Sequence, residues 1–321
     1  MQTYIKLIEQ QLKELNLPQN PSELYEPIHY ILSLGGKRLR PALSLLSCHL
    51  FTKNYQKALP VALTIEVFHN FTLVHDDIMD NAPIRRGKKT IHSKWDTNTA
   101  ILSGDAMLIE AYRLLSDLPT NLLVNVFPLF NKCAIEVCEG QQYDMNFENI
   151  ATVSESAYLE MIRLKTAVLL GFSMEAGALV GGADEKSAAA LKNFAINIGI
   201  GFQLKDDLLD VFGSKEKVGK QTGGDIIANK KTFLLIKALE KAKGETLQKL
   251  NFWLGEKEFD SEEKVKAVVS IYNELGIEQL TEKKMNTYFD KAFEILENIK
   301  IENDRKDLLH NFAKSLVARE Y

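Results

Sequence analysis

Carboxylates recur twice at one spacing, in Asp76-Asp77-Ile78-Met79-Asp80 and Asp206-Asp207-Leu208-Leu209-Asp210. Leu, Ile and Val flank both runs, so each reads as part of an apolar helix. Residues four apart share a helix face, with Cβ atoms about 5–6 Å apart. That pairs Asp76 with Asp80 and Asp206 with Asp210, and turns Asp77 and Asp207 about 100° away. Two carboxylates ~5.5 Å apart repel by about 3 kcal/mol at an effective dielectric of ~20. A bound cation offsets that repulsion. An all-oxygen donor set selects Mg2+ or Mn2+, and Mg2+ takes one or two carboxylates together with substrate phosphates. One such run would read equally well as a solvated acidic face; two of identical spacing inside apolar helices favour the metal.

Cations accompany the acids. Gly35-Gly36-Lys37-Arg38-Leu39-Arg40-Pro41 sets three of them around a tight turn that feeds a helix N-terminus, a ready place for an anion. Arg85 and Arg86 follow Asp80 closely, and arginine suits bidentate phosphate contacts. His69 lies two turns before Asp76; on the residues alone it reads as a core histidine or as a ligand. Lys165 and Thr166 sit within an apolar helical stretch, where a lysine must snorkel or meet an anion. A later Gly-rich loop carries Lys220, Asp225, Lys230 and Lys231, solvated or phosphate-facing. There is no Walker loop, no GxSxG and no zinc-binding His/Glu helix. Acid clusters for divalent cations beside four cationic sites fit one task, holding diphosphates and stabilising a diphosphate leaving group.

The elements that must position these groups are helical throughout. Apolar periodicity predicts helices over 3–16, 22–34, 41–50, 60–80, 100–116, 122–143, 154–180, 185–212, 231–250, 261–275, 279–298 and 303–319, with polar loops at 81–89 and 213–229. No sustained strand alternation, linker or composition shift appears, so the chain reads as all-α, a single domain over 1–321 with the two acidic helices at its centre. The composition, 45% hydrophobic and 26% charged, is that of a globular protein. A net charge of −4 offers no basic field for nucleic acid. Cys48, Cys133 and Cys138 lack metal-ligand spacing and read as buried free thiols. The N-terminus lacks a signal-peptide core and no run of 18 apolar residues occurs, which predicts a cytoplasmic protein without a membrane span.

Taken together, the chain resembles the trans-prenyl diphosphate synthases, the head-to-tail chain-elongating family of all-α isoprenoid synthases. The resemblance is carried in order by GGKRLRP at 35–41, Glu66 and His69 ahead of LVHDDIMD, Arg85-Arg86-Gly87, Ser103-Gly104-Asp105, Gly140-Gln141 through Asp144, Leu164-Lys165-Thr166, GFQLKDDLLD at 201–210, and Gly219-Lys220 through Asp225 and Lys230. The C-terminal third carries no distinctive motif. The resemblance implies a helical bundle of the isoprenoid synthase type around a central substrate cavity, and a homodimer. It implies three substrate-bridged Mg2+ ions, with Mn2+ as an alternative. Asp76, Asp80 and Asp206 would hold them, with Asp77 and Asp210 supporting the ions or their waters and Asp210 counted in the metal set. Asp76, Asp77, Asp80, Arg85, Lys165, Asp206, Lys220 and Lys230 would form the catalytic set. Arg85, Lys165, Thr166, Gln203, Lys220 and Lys230 would contact the allylic diphosphate, and Lys37, Arg40, His69 and Arg86 would grip isopentenyl diphosphate.

In such an enzyme the side chains below the first motif floor the tunnel for the growing product. Phe71 lies five residues before Asp76, about 7.5 Å down the axis, with Phe68 further down and the small Thr72 between Phe71 and the acids. One large ring and no two-residue insertion in the first motif resemble the geranylgeranyl-forming (C20) pattern. Farnesyl (C15) and longer products are the alternatives within the family. A terpene cyclase, a non-catalytic partner subunit and a structural metal-binding bundle are the rivals; DDLLD and GGKRLRP argue against the first, the completeness of both acidic motifs against the second, and the four cationic sites against the third.

Overall fold

The computed structural model describes residues 1–213, 223–299, 301 and 303–317. Among them the regular structure is helix apart from one two-stranded hairpin, as the periodicity predicts. The helices are α1 (Gln2–Lys13), α2 (Ser22–Ser33), α3 (Leu39–His49), α4 (Leu59–Met79), α5 (Ile91–Lys94), α6 (Thr97–Leu115), α7 (Thr120–Glu148), α8 (Glu155–Ile162), α9 (Val168–Gly181) and α10 (Glu185–Phe212). A π-helical turn, Arg163–Ala167, joins α8 to α9. Helices Gly224–Ile227, Phe233–Lys241, Gly244–Gly255, Ser261–Leu275, Ile277–Asn298 and Asn303–Val317 follow.

Where boundaries differ from those the periodicity predicts, local chemistry explains the shift. Helix α6 starts at Thr97 rather than Ala100 because the Asp96 carboxylate accepts the Thr99 amide at 2.9 Å. The stretch predicted as one helix over 231–250 is two. Lys241 ends the first, and the second starts at Gly244, whose φ of 54° lies in the left-handed region. The loop after α4 contains the hairpin, in which Ile84 pairs with Lys89 and Arg85 with Lys88. Its turn residues Arg86 and Gly87 both have positive φ, 52° and 73°. That is the demand of a tight primed turn, usually met by Asn-Gly.

The chain folds into two compact units. The first comprises Met1–Asn131, Phe172–Lys192 and Lys300–Lys306; the second comprises Lys132–Gly171, Asn193–Ile299 and Asp307–Tyr321. In the first, α4 packs along α6 and α3 and is buried on nearly every face, from Val61 and Ile65 to Phe68 and Val74. A helix apolar all round must be central to its unit. In the second, one core gathers Leu208, Leu234, Leu250, Val268 and Ile277. Another gathers Phe147, Tyr158, Met161, Ile200 and Phe233. The stretch Glu155–Gly181 is long and apolar enough to cross a membrane, but 72% of its most apolar window is buried inside the protein, as in a core helix.

Candidate active site

In the first unit the acidic motif occupies the C-terminal turn of α4. Asp77 points inward, 2% exposed, and meets Arg85. The Arg85 Nε donates to both its carboxylate oxygens at 2.8 and 2.9 Å, and the Arg85 Nη2 is 2.7 Å from Oδ1. The same guanidinium lies 3.6 Å from Asp76 Oδ2. Burial pushes the Asp77 carboxyl up, and Arg85 opposes that push. The hairpin delivers Arg85, and Thr90 pins the base of the loop by donating its hydroxyl to Ala82 O at 2.8 Å and its amide to Pro83 O at 3.1 Å. Asp76 is partly exposed and Asp80 exposed.

The basic turn divides its cations. Arg38, in the left-handed region at φ 47°, turns into the core, pairs with the buried Glu66 and donates to Leu32 O at 2.7 Å. Asn70 reinforces Glu66 by donating to its Oε1 at 2.9 Å and its O at 2.8 Å. Sequence reasoning places Arg38 among the cations of the turn and misses this brace. Its signal is present, an acid and an amide four residues apart on the buried face of α4. Lys37 stays exposed on the turn. Arg40 Nη1 lies 3.3 Å from His69 Nε2; arginine only donates, so the imidazole accepts. Burial, then Arg40, Arg86, Arg85 and Arg38, hold the His69 imidazole well below its usual range and therefore neutral. Arg86 donates to Gly35 O and lies against Gly36, where a Cβ would come within 3.0 Å of its guanidinium. Arg40, His69 and Arg86 are thus assembled beside the N-terminus of α3, a neutral acceptor-donor ring among fixed cations.

Below the motif, Phe71 and Phe68 are 8% and 0% exposed, with ring centroids 5.6 Å apart. Phe71 also packs edge-on against His75 at 4.8 Å, and Phe68 against Phe130 at 5.3 Å. Thr72 returns its hydroxyl to its own helix, donating to His69 O at 2.8 Å.

The second unit repeats the partition of acids. Asp207 is buried, 4% exposed. It accepts from the Tyr158 hydroxyl and from Gln203 Nε2 at 3.2 Å. Burial pushes its carboxyl up to about 7 against the opposing hydrogen bond from Tyr158. Gln203 Oε1 in turn accepts from Thr166 at 3.4 Å. Nothing in the local sequence marks Tyr158, 49 residues from its partner. Asp206 and Asp210 are partly exposed. Asp210 Oδ2 accepts the Asp225 amide at 2.9 Å, and burial followed by Asp210 pushes the Asp225 carboxyl up to about 6. The Lys230 amide donates to Asp225 O at 2.9 Å, and its side chain is exposed. Lys220 lies outside the described residues.

Lys165 and Thr166 belong to the π-helical turn. Such a turn inserts one extra residue per cycle and re-aims its side chains, a device frequent at functional sites. Here Lys165 Nζ reaches Asp144 at 2.5 Å. The turn is packed against Gly140, where a Cβ would lie 2.2 Å from the Lys165 amide nitrogen. Gly140 and Asp144 therefore share one face of α7, one admitting the turn and the other meeting its lysine.

Among the described residues no group of three acids, histidines or cysteines forms a ready metal cage. The residues that could hold a metal are the carboxylates one turn apart, Asp76 with Asp80 and Asp206 with Asp210. That hard-oxygen set fits Mg2+, which completes its shell with water and phosphate oxygens.

Residues 21–272 match the family model described as Polyprenyl synthetase. The "Geranylgeranyl pyrophosphate synthase" of Geoglobus acetivorans is 41% identical over 318 residues, 98% of this chain and 97% of that protein. The "Geranylgeranyl diphosphate synthase" of Methanosarcina mazei is 38% identical, covering 97% of this chain and 94% of its own. A solved structure, "Crystal structure of geranylgeranyl pyrophosphate synthase", superposes with a TM-score of 0.94 at 42% identity, over 100% of this chain and 99% of that one.

Proposed function

We propose, on the premise that the chain belongs to the polyprenyl synthetase family, that it is a prenyltransferase. It would condense isopentenyl diphosphate head to tail with allylic diphosphates and release geranylgeranyl diphosphate, C20. The observation that carries this reading is the shared partition of the two acidic motifs. In each, the middle aspartate is buried on protein partners, Arg85 for Asp77 and Tyr158 with Gln203 for Asp207. The outer two aspartates are more exposed and stand one helical turn apart, a spacing at which a cation relieves their repulsion.

Asp76 and Asp80, and Asp206 with Asp210, would hold Mg2+, three ions in all. Bound there, the metal would neutralise the allylic diphosphate as it leaves. Arg85, Lys165, Thr166, Gln203 and Lys230, with Lys220, contact that diphosphate. Lys37, Arg40, His69 and Arg86 hold isopentenyl diphosphate, the neutral His69 leaving the cationic charge to the arginines. The bond from allylic C1 to oxygen breaks with its electron pair leaving on diphosphate. The double bond of isopentenyl diphosphate supplies the pair for the new carbon–carbon bond, and the departing diphosphate takes the proton that is lost. Phe71 and Phe68, buried and packed on each other below the first motif, would floor the product tunnel, which supports a stop at C20.

We read residues 1–321 as one isoprenoid synthase domain, acting as a homodimer in the cytoplasm, with no nucleic-acid partner and no membrane span. Exposed apolar side chains on α6 and α7, Leu102, Ile109 and Val124 at 60%, 71% and 60% exposure, support the homodimer. The test is diphosphate release with isopentenyl diphosphate, with an allylic diphosphate, and with both, in Mg2+ and in chelator. The reading requires both substrates and the metal. Release from the allylic substrate alone would indicate a cyclase, and no release would remove the catalytic reading.

A further inference from the structure

The C-terminal third holds a buried ammonium that this chemistry does not use. Lys264, in the helix Ser261–Leu275, is 0% exposed. Lysine is almost never fully buried without a partner. Burial pushes its ammonium below the usual range. Its Nζ lies 4.1 Å above the Phe259 ring and donates to Asn229 Oδ1 at 2.8 Å and to Ile227 O at 3.4 Å. A lysine can only donate, so the amide oxygen of Asn229 faces it, and Asn229 Nδ2 is left to donate to Leu254 O at 3.2 Å. Both ends of that amide are therefore tied. Asn229 itself is left-handed, φ 53°, and is the residue immediately before Lys230.

The turn from Gly223 to Thr232 is thus held at two ends. At one, Asp210 accepts the Asp225 amide at its carboxylate and the Gly223 amide at its carbonyl, at 2.9 and 2.6 Å. At the other, Lys264 grips Asn229. Between them the Lys230 amide donates to Asp225 O at 2.9 Å, and Lys230 O accepts from the Thr232 amide at 2.8 Å. We propose that Lys264 is a positioning residue for diphosphate binding. Through Asn229 it fixes the left-handed turn that aims the Lys230 side chain at the diphosphate. A buried ammonium is justified at this place because only a donor with reach can lock an amide from beneath, and a methylene chain of the same length would leave Asn229 Oδ1 unsatisfied.

This rests on the reading of Lys230 as a diphosphate contact, so the experiment reads binding separately from turnover. The full-length protein with Mg2+ is titrated calorimetrically with inorganic diphosphate, as wild type, Lys264→Met, Lys230→Ala and the double variant. Loss of one charge-assisted contact predicts a Kd raised about tenfold by Lys264→Met in the wild-type background. Acting through Lys230, the same change should alter Kd by less than about twofold when Lys230 is already alanine. An unchanged Kd in Lys264→Met, or an equal loss in both backgrounds, would overturn the proposal. Should Lys264→Met not fold, Asn229→Gly keeps the left-handed backbone and removes the acceptor, and the same pair of outcomes decides. A wild type that binds diphosphate with this coupling yet never elongates an allylic substrate would defeat the proposed function and leave the positioning role standing. A wild type that elongates without the coupling would do the reverse.

Discussion

Gly140→Ala is the substitution whose effect the geometry sets most tightly. A methyl at that position would lie 2.2 Å from the Lys165 nitrogen, 2.6 Å from its Cα and 2.7 Å from the Leu164 carbonyl carbon. Non-bonded carbons pack at about 3.5–4 Å, so the π-helical turn must retreat by roughly 1 Å. The turn has little room behind it. Ala167 is already close against α10, where a Cβ at Gly199 would lie 2.9 Å from the Ala167 Cα. Overpacking of this kind costs about 1–3 kcal/mol. In a chain of 321 residues that lowers Tm by about 1.5–4.5 °C. The activity should suffer more, because the displaced residue carries the ammonium that meets Asp144 at 2.5 Å. A misplacement of about 1 Å can reduce turnover on the order of 10²-fold. The assay is thermal and urea unfolding beside steady-state kcat. Gly255→Ala is the control, since a Cβ there meets nothing within 4 Å; a helical Gly-to-Ala change in open space should be neutral or stabilise by up to about 1 kcal/mol. A Gly140→Ala protein with wild-type Tm and kcat would refute the reasoning that the glycine exists to admit the turn.

Phe71→Ala should lengthen the product, since it removes the ring packed between His75 and Phe68; an unchanged product distribution by chromatography would remove Phe71 from the floor. Arg38→Met leaves Glu66 buried without its cation and should lower the unfolding free energy by about 3–5 kcal/mol; urea midpoints within error of wild type would contradict the brace. His69 carries a folded-state pKa held below the usual 6.5. As pH falls through about 6.5 the unfolded chain takes up a proton that the folded chain refuses, so stability is full above that pH and is lost below it. The urea midpoint of wild type should therefore drop more between about pH 7.5 and about pH 5.5 than that of His69→Gln. Equal drops would show that His69 is not the group responsible.

Helices are legible where amphipathic periodicity is long and punctuated: α10 spans Glu185–Phe212 and the helix Ser261–Leu275 has the bounds its pattern implies. The acidic runs are legible as chemistry because carboxylates repeated one turn apart inside apolar helices repel unless a cation answers them. What sequence hides depends on contacts across the chain. The inward turn of Arg38 is decided by Glu66, 28 residues away, and the burial of Asp207 by Tyr158. The π-helical turn is invisible to a 3.6-residue pattern, because its extra residue is accommodated by Gly140 on another helix. The hairpin escapes notice because Arg86-Gly87 lacks the Asn-Gly signature of its turn. The bond from Lys264 to Asn229 joins residues 35 apart and is likewise set by the fold.

The decisive measurement offers the purified protein labelled isopentenyl diphosphate and Mg2+, with five-, ten- and fifteen-carbon allylic primers supplied one at a time. A C20 synthase elongates each primer to a common all-trans C20 diphosphate, and chelation of the metal abolishes the reaction. A C15 stop would keep the chemistry and contradict the floor formed by Phe71 and Phe68. A folded protein that elongates no primer would show that the chain is not a prenyltransferase.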